Sequence, residues 1–152
     1  MLNKITLIFV VTILFSGCAS VPMASKESSD RAKLFGPPAQ GRAGLYIYRG
    51  AGPGTALKKD IWVDGKCVGE SAPNVFFYED VVGNQEHTIS TESEFSPNAL
   101  KLATASDTNY FIRQYIKFGI FVGGANLEVV DESDGKKAVQ KLDMATKGTC
   151  SQ

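Results

Sequence analysis

Apolar and polar positions alternate in short runs along most of this chain, with turn residues between the runs. Gly44-Leu45-Tyr46-Ile47-Tyr48-Arg49 alternates and is rich in β-prone residues, so it predicts the first strand. Asp60–Val63 and Lys66–Gly69 flank Asp64-Gly65, a dipeptide suited to a two-residue hairpin turn. Asn74–Glu79 and Glu86–Ser90 are the next runs, with Gly83-Asn84 turning between them. Asn98–Thr104 places Leu100 and Leu102 on one face, Thr108–Phe118 is the longest run and breaks at Gly119, and Ala125–Val130 is the last. Ser133 or Asp134 can cap a short helix running to Lys141 or Leu142, with Ala138, Val139 and Leu142 on its apolar face. About seven to eight short strands at hairpin spacing predict a mainly all-β domain, an antiparallel β-sandwich or open barrel with one short C-terminal helix.

The start of the chain breaks this pattern. Ile5–Phe15 is a largely apolar run of 11 residues behind Lys4. A bilayer-spanning helix needs about 20, and a positive start, an apolar middle and small residues before a cut point predict a signal peptide over residues 1–17. Leu14-Phe15-Ser16-Gly17-Cys18 resembles a bacterial lipobox. That resemblance implies cleavage before Cys18, a diacylglycerol on its thiol and an N-acyl chain on its new amine. Several acyl chains hold far more firmly than one, at roughly 0.8 kcal/mol per buried CH₂. Ala19 after the cysteine, in place of Asp, implies sorting to the outer membrane of a Gram-negative envelope, on its periplasmic face. A plain secretory peptide and a retained membrane helix are the rival readings. Residues 18–40, with scattered serines and Pro37-Pro38, predict a flexible tether with at most a helical turn over Ser28–Leu34. The folded domain is expected over 41–143, followed by a tail over 144–152.

Charge and cysteine content narrow the picture. The formal net charge of zero argues against nucleic acid as a partner. With Cys18 acylated, Cys67 and Cys150 remain as a pair, and an oxidising periplasm predicts a disulfide between them. Two free thiols are the competing reading. A single histidine and no C-x-x-C spacing leave no basis for a metal site.

Leu45–Arg49, Val63-Asp64-Gly65-Lys66-Cys67-Val68-Gly69-Glu70, Phe77-Tyr78, His87-Thr88-Ile89, Tyr110–Arg113 and Gly123-Gly124-Ala125 occur in an order that resembles the bacterial lipoproteins with domain of unknown function 2846 (DUF2846), over about Gly41 to Leu142. The middle is similar to the small β modules called PEGA domains, through Val63-Asp64-Gly65, Gly69, and Gly83 through His87 to Ile89. The resemblance implies a β fold and an envelope location. It brings no catalytic residue.

Candidate chemistry is sparse. His87 is the sole histidine, shares a strand face with Gln85 and Ile89, and reads as a structural residue at the core or its rim. No serine sits in a G-x-S-x-G elbow. Gly50–Gly54 is glycine-rich, but Pro53 removes an N–H and no helix follows, so it reads as a hairpin loop and not a phosphate cradle. Glu92 and Glu94 read as a solvated edge. The strand over Tyr110–Phe118 carries Phe111, Arg113, Tyr115 and Lys117 on one face, aromatic and cationic by turns. Such a stripe can stack on sugar rings or grip anionic groups, and it can equally be packing. Tyr46 and Tyr48 extend it if their strand lies alongside. The expectation is a non-enzymatic, membrane-anchored envelope lipoprotein. It would contact envelope protein or cell-wall glycan and carry no cofactor beyond the lipid on Cys18. The alternative is a small-ligand-binding protein or enzyme with a pocket near His87 and the Tyr110–Lys117 strand.

Overall fold

The computed structural model describes residues 19–93, 98–121 and 123–151. In chain order the elements are α1 (Lys26–Ala32), β1 (Arg42–Arg49), β2 (Lys59–Val63), β3 (Lys66–Ser71), β4 (Val75–Val82), β5 (Glu86–Thr91), β6 (Asn98–Ala103), β7 (Thr108–Lys117), β8 (Gly124–Val130), α2 (Glu132–Val139) and β9 (Asp143–Met144). They form a five-stranded sheet in the order β8-β7-β1-β4-β9 and a four-stranded sheet in the order β3-β2-β5-β6.

Alternation within β1 explains how the layers stack. Leu45 and Ile47 point into the space between the sheets, where they meet Ile61, Val63, Val68, Phe77, Ile89 and Ile112. Tyr46 and Tyr48 point the other way and pack with Phe76, Phe111, Val139 and Leu142, beneath α2 and Phe35. The middle strand of the larger sheet is therefore buried on both faces, and one side of that sheet carries a second, aromatic core. The predicted sandwich is present, and the Asp64-Gly65 turn is as expected, with φ of 50° and 74° at its two central residues.

Three expectations are corrected. First, the sandwich is not wholly antiparallel. β1 pairs β7 in parallel, Tyr46 opposite Phe111 and Tyr48 opposite Arg113, and β4 pairs β9 in parallel. Hairpins serve neighbours within the smaller sheet, but β7 enters the larger sheet from β6 of the other one, and a crossover can bring a strand back in either sense.

Second, residues 19–40 do not form a loose tether. Ser25 caps α1 by accepting the Ser28 N–H at 3.1 Å. The buried Ser29 Oγ accepts the Met144 N–H at 3.1 Å, and the Thr146 N–H reaches Pro22 O at 2.8 Å. The Tyr46 phenol donates to Ala32 O at 2.9 Å, and the Phe35 ring stands edge-on to Tyr46 and Phe111. A polar segment is ordered here because the C-terminal residues offer it backbone partners and the aromatic core offers Phe35 a seat.

Third, α2 begins two or three residues earlier than Ser133 or Asp134 would set it. Asp131 is the cap, its carboxylate accepting the Ser133 N–H at 2.9 Å. The tail over 144–152 is likewise held through residue 151. The Ala145 N–H donates to Phe76 O, the Gly148 N–H to Val68 O, and the Ser151 N–H to the Asp60 carboxylate.

Candidate functional site

The parallel register of β1 and β7 brings Tyr48 beside Arg113. A cleft of about 320 Å³ opens there, lined by Tyr48, Arg49, the Gly50–Pro53 loop, Arg113, Tyr115 and Ala138. The Arg113 guanidinium lies 5.4 Å from the centre of the Tyr115 ring and forms an ion pair of 2.6 Å with Glu128 on β8. The Tyr115 hydroxyl accepts from Asn126 Nδ2 at 3.0 Å, which fixes the ring. Burial pushes the Tyr48 phenol above its usual pKa, more than the Arg113 charge pulls it down, so Tyr48 faces the cleft as a neutral donor. A flat cationic group over a ring, with a second phenol beside it, suits a ligand carrying both a ring face and negative charge.

The four stripe residues part company. Arg113 and Tyr115 meet in the cleft. Phe111 does not belong to a binding surface: it is buried, stacked on Tyr46 at 5.0 Å and covered by α2 at Gly135. Lys117 is exposed at the end of β7, beside the hairpin tip. Alternation identifies residues that share a face. It does not say that α2 covers only the first part of that face.

Arg49 carried no signal in the sequence. Its guanidinium is buried, and burial lowers its pKa. It donates to Leu57 O at 2.7 Å and to Gly54 O at 2.5 Å. Among the described residues no carboxylate pairs with it. Its charge rests on carbonyl dipoles, and it clamps the glycine-rich loop onto the end of β1. A buried polar chain nearby was equally silent. Ser71 Oγ donates to Gln114 Oε1, Gln114 Nε2 donates to Thr91 Oγ1 at 2.7 Å, and Thr91 Oγ1 donates to Asp60 O at 2.8 Å. It ties β3, β7, β5 and β2 across the space between the sheets.

His87 is buried on β5. Its Nδ1 lies 2.6 Å from Asp64 Oδ2 and its Nε2 lies 2.7 Å from Val82 O. Both neighbours are acceptors, so only the doubly protonated ring satisfies both contacts. Burial acts to lower the His87 pKa, but the bonds to Asp64 and Val82 O and the Asp64 charge outweigh it, and the net shift is upward. Asp64, held by His87 and by the Thr88 N–H, is shifted down despite its own desolvation. A ring with both nitrogens engaged as donors has no free lone pair to take a proton. The cleft beside His87 is lined by Arg42, Asp64, Lys66, Asp80 and Val82 and is separate from the Arg113–Tyr115 cleft. The single pocket expected near His87 and the Tyr110–Lys117 strand is thus two clefts, one lined by strands of both sheets beside His87 and one on the larger sheet at Tyr48, Arg113 and Tyr115.

Cys67 and Cys150 form a disulfide with Cα atoms 6.0 Å apart. Glu92 Oε2 accepts the Asp60 N–H at 2.9 Å. Residues 1–18, including Cys18, and Glu94 lie outside the described residues.

A family model described as a protein of unknown function, DUF2846, matches residues 39–125. The chain belongs to the DUF2846 family. The matched span of this DUF2846 protein begins just before β1 and ends inside β8, so it includes His87, Asp64, Arg113 and Tyr115 but neither α2 nor Cys150. The chain is 60% identical over 135 residues to an uncharacterized protein of Haemophilus influenzae, covering 89% of this chain and 80% of that one. No solved structure matches.

Proposed function

We propose that this DUF2846 protein is a lipid-anchored envelope lipoprotein, attached through Cys18 to the periplasmic face of an outer membrane. Its β body acts there as an interaction module and not as an enzyme. The observation that carries this reading is the Cys67–Cys150 bridge. Bridges of this kind persist outside the reducing cytoplasm, and the compartment they imply is the one to which the signal pattern before Cys18 would deliver the chain. The state of His87 supports the non-catalytic half of the reading, because the sole imidazole is committed to Asp64 and Val82. The Tyr48–Arg113–Tyr115 cleft is the face offered to a partner, with cell-wall glycan or an envelope protein as the class that fits an aromatic and cationic surface.

The test is to label cells with palmitate, crosslink intact envelopes, and compare wild type with Cys18→Ser. Wild type is expected to take up label, sediment with membranes and recover a crosslinked envelope component. An unlabelled wild-type protein that stays in the soluble fraction overturns the anchor. A labelled protein with no crosslinked component overturns the interaction role.

A further inference from the structure

The hairpin tip between β7 and β8 turns three large apolar side chains to solvent: Phe118, Ile120 and Phe121 are 91%, 78% and 82% exposed. Single exposed apolar residues are ordinary, but a cluster of bulky ones at a projecting turn marks a surface that something covers.

The base of this tip is built firmly. A Cβ on Gly54 would stand 2.9 Å from Ile116 Cγ1, and one on Gly123 would stand 2.7 Å from Leu57 Cδ1. The 54–57 loop and the hairpin base therefore pack without space for an added methyl, and Arg49 clamps that loop from below through Gly54 O and Leu57 O.

The N-terminal end of the described chain arrives at the same loop. The Ala19 N–H donates to Thr55 O at 2.9 Å. The described chain thus begins, at Ala19, beside the loop that packs on the hairpin base. Residue 18 is one peptide further on, and consecutive Cα atoms are about 3.8 Å apart. The chain then leads away from this end to α1 and its contacts with the C-terminal residues.

We propose that Phe118, Ile120 and Phe121 dock into the interface of the bilayer that holds the acyl chains of Cys18. The domain then sits on the membrane at two adjacent points and in one orientation. This inference rests on the lipid-anchor reading above. An acyl anchor alone fixes a position and leaves the body free to swivel. An apolar tip entering the headgroup and acyl boundary beside it fixes the rotation as well. Lys117, exposed beside Phe118, has the reach to lay its stem along the tip and keep its ammonium among the headgroups. The opposite end, with Gly83-Asn84 and Gln85, then faces away from the membrane.

The experiment uses the mature protein purified from palmitate-labelled cells and reconstituted into phosphatidylcholine–phosphatidylglycerol vesicles, with and without bromine on the acyl chains. Wild type, whose emission comes from Trp62, is compared with Phe118→Trp and with Gln85→Trp. Phe118→Trp is expected to gain a blue-shifted component that brominated lipid dims about twofold, the interfacial depth being within reach of the bromines. The component gained in Gln85→Trp is expected to stay unchanged. A labelled protein in which the Phe118→Trp component is not dimmed overturns the docking and leaves the anchor standing. A component that is blue-shifted yet not dimmed identifies a second copy of the chain covering the tip, and also overturns it. Equal dimming in both variants removes the single orientation. Absence of palmitate overturns the anchor, and this inference with it.

Discussion

Replacing Gly135 by Ala sets two effects of known size against each other. Gly135 lies inside α2, where Ala is favoured over Gly by about 1 kcal/mol on helix propensity alone. An added Cβ would fall 2.3 Å from both Cβ and Cγ of Phe111 and 2.7 Å from its Cδ1. Ordinary contact begins at 3.4 Å, so the neighbours must part by about 1 Å. Phe111 cannot yield that distance. Its backbone is laddered to β1 on one side and to β8 on the other, and its ring lies between Tyr46 and Phe35. The helix must lift instead, and lifting it draws Val139 off the aromatic core. Overpacking of this kind costs about 1–3 kcal/mol, and partial exposure of one valine adds roughly 1 kcal/mol. The clash outweighs the propensity gain. Gly135→Ala is expected to destabilise by about 1–3 kcal/mol, lowering Tm by roughly 3–10 °C. Urea and thermal unfolding followed by far-UV circular dichroism measure this, with an unchanged m-value showing that stability and not the denatured state has moved. Lys137→Ala, on the exposed face of the same helix, is the control and should stay within about 0.5 kcal/mol of wild type. A Gly135→Ala chain as stable as wild type, or more so, would refute the close contact between α2 and β7.

The His87–Asp64 pair makes stability depend on pH in a defined sense. The contribution of His87, whose pKa is raised above 6.5, is complete below that value and is lost as pH climbs through the raised one. The contribution of Asp64, whose pKa is lowered from 3.8, is complete above that value and fades as pH falls through the depressed one. Wild-type Tm should therefore be highest in mild acid and decline from about pH 6 to pH 9, with a flatter profile in Asp64→Asn; a wild-type Tm that rises over this range contradicts the pairing. The Cys67–Cys150 bridge spans a sequence separation of 83 residues, and the chain-entropy model sets a ceiling of about 4.5 kcal/mol for a loop of that size. Reduction is expected to lower stability by about 2–4 kcal/mol and to raise the mass by about two daltons, the two hydrogens gained; an unmoved urea midpoint after confirmed reduction would count against it.

The strands were legible because each depends on a period of two and a turn, both local. Asp64-Gly65 illustrates this, since the residue types that tolerate left-handed backbone stand where the chain reverses. Strand partners are not local. The parallel pairing of β1 with β7 depends on a crossover from the other sheet, and no residue within either strand encodes it. The stripe on β7 shows the consequence. Phe111, Arg113 and Tyr115 share a face by alternation, yet α2 covers the first and leaves the other two to form a cleft. His87 was readable as structural from its strand position, but its carboxylate partner was hidden in plain view. Asp64 reads from the sequence as a hairpin-turn residue alone, yet it also holds His87 and the Thr88 N–H. Arg49 and Gln114 had no signal, because a polar residue inside a β run reads as solvent-facing until its neighbours are known.

Residues 19–40 carry the wider lesson. Composition marks a segment as unable to build a core of its own. It says nothing about whether a core built elsewhere has a place for it. Here Phe35 fills the aromatic cluster and Ser29 and Pro22 bind the C-terminal backbone. A long leash would have let the body stand well off the bilayer. The Ala19 N–H is bonded to Thr55 O, so the chain is held to the folded body from its first described residue onward. On the proposed anchor and tip docking, the position of each surface relative to the membrane would follow from strand geometry. Arg113 and Tyr115 precede Lys117 by four and two residues on β7, which at about 3.3 Å per residue sets the cleft roughly 7–13 Å from the end of that strand. On that docking, the cleft would open to partners near the membrane surface.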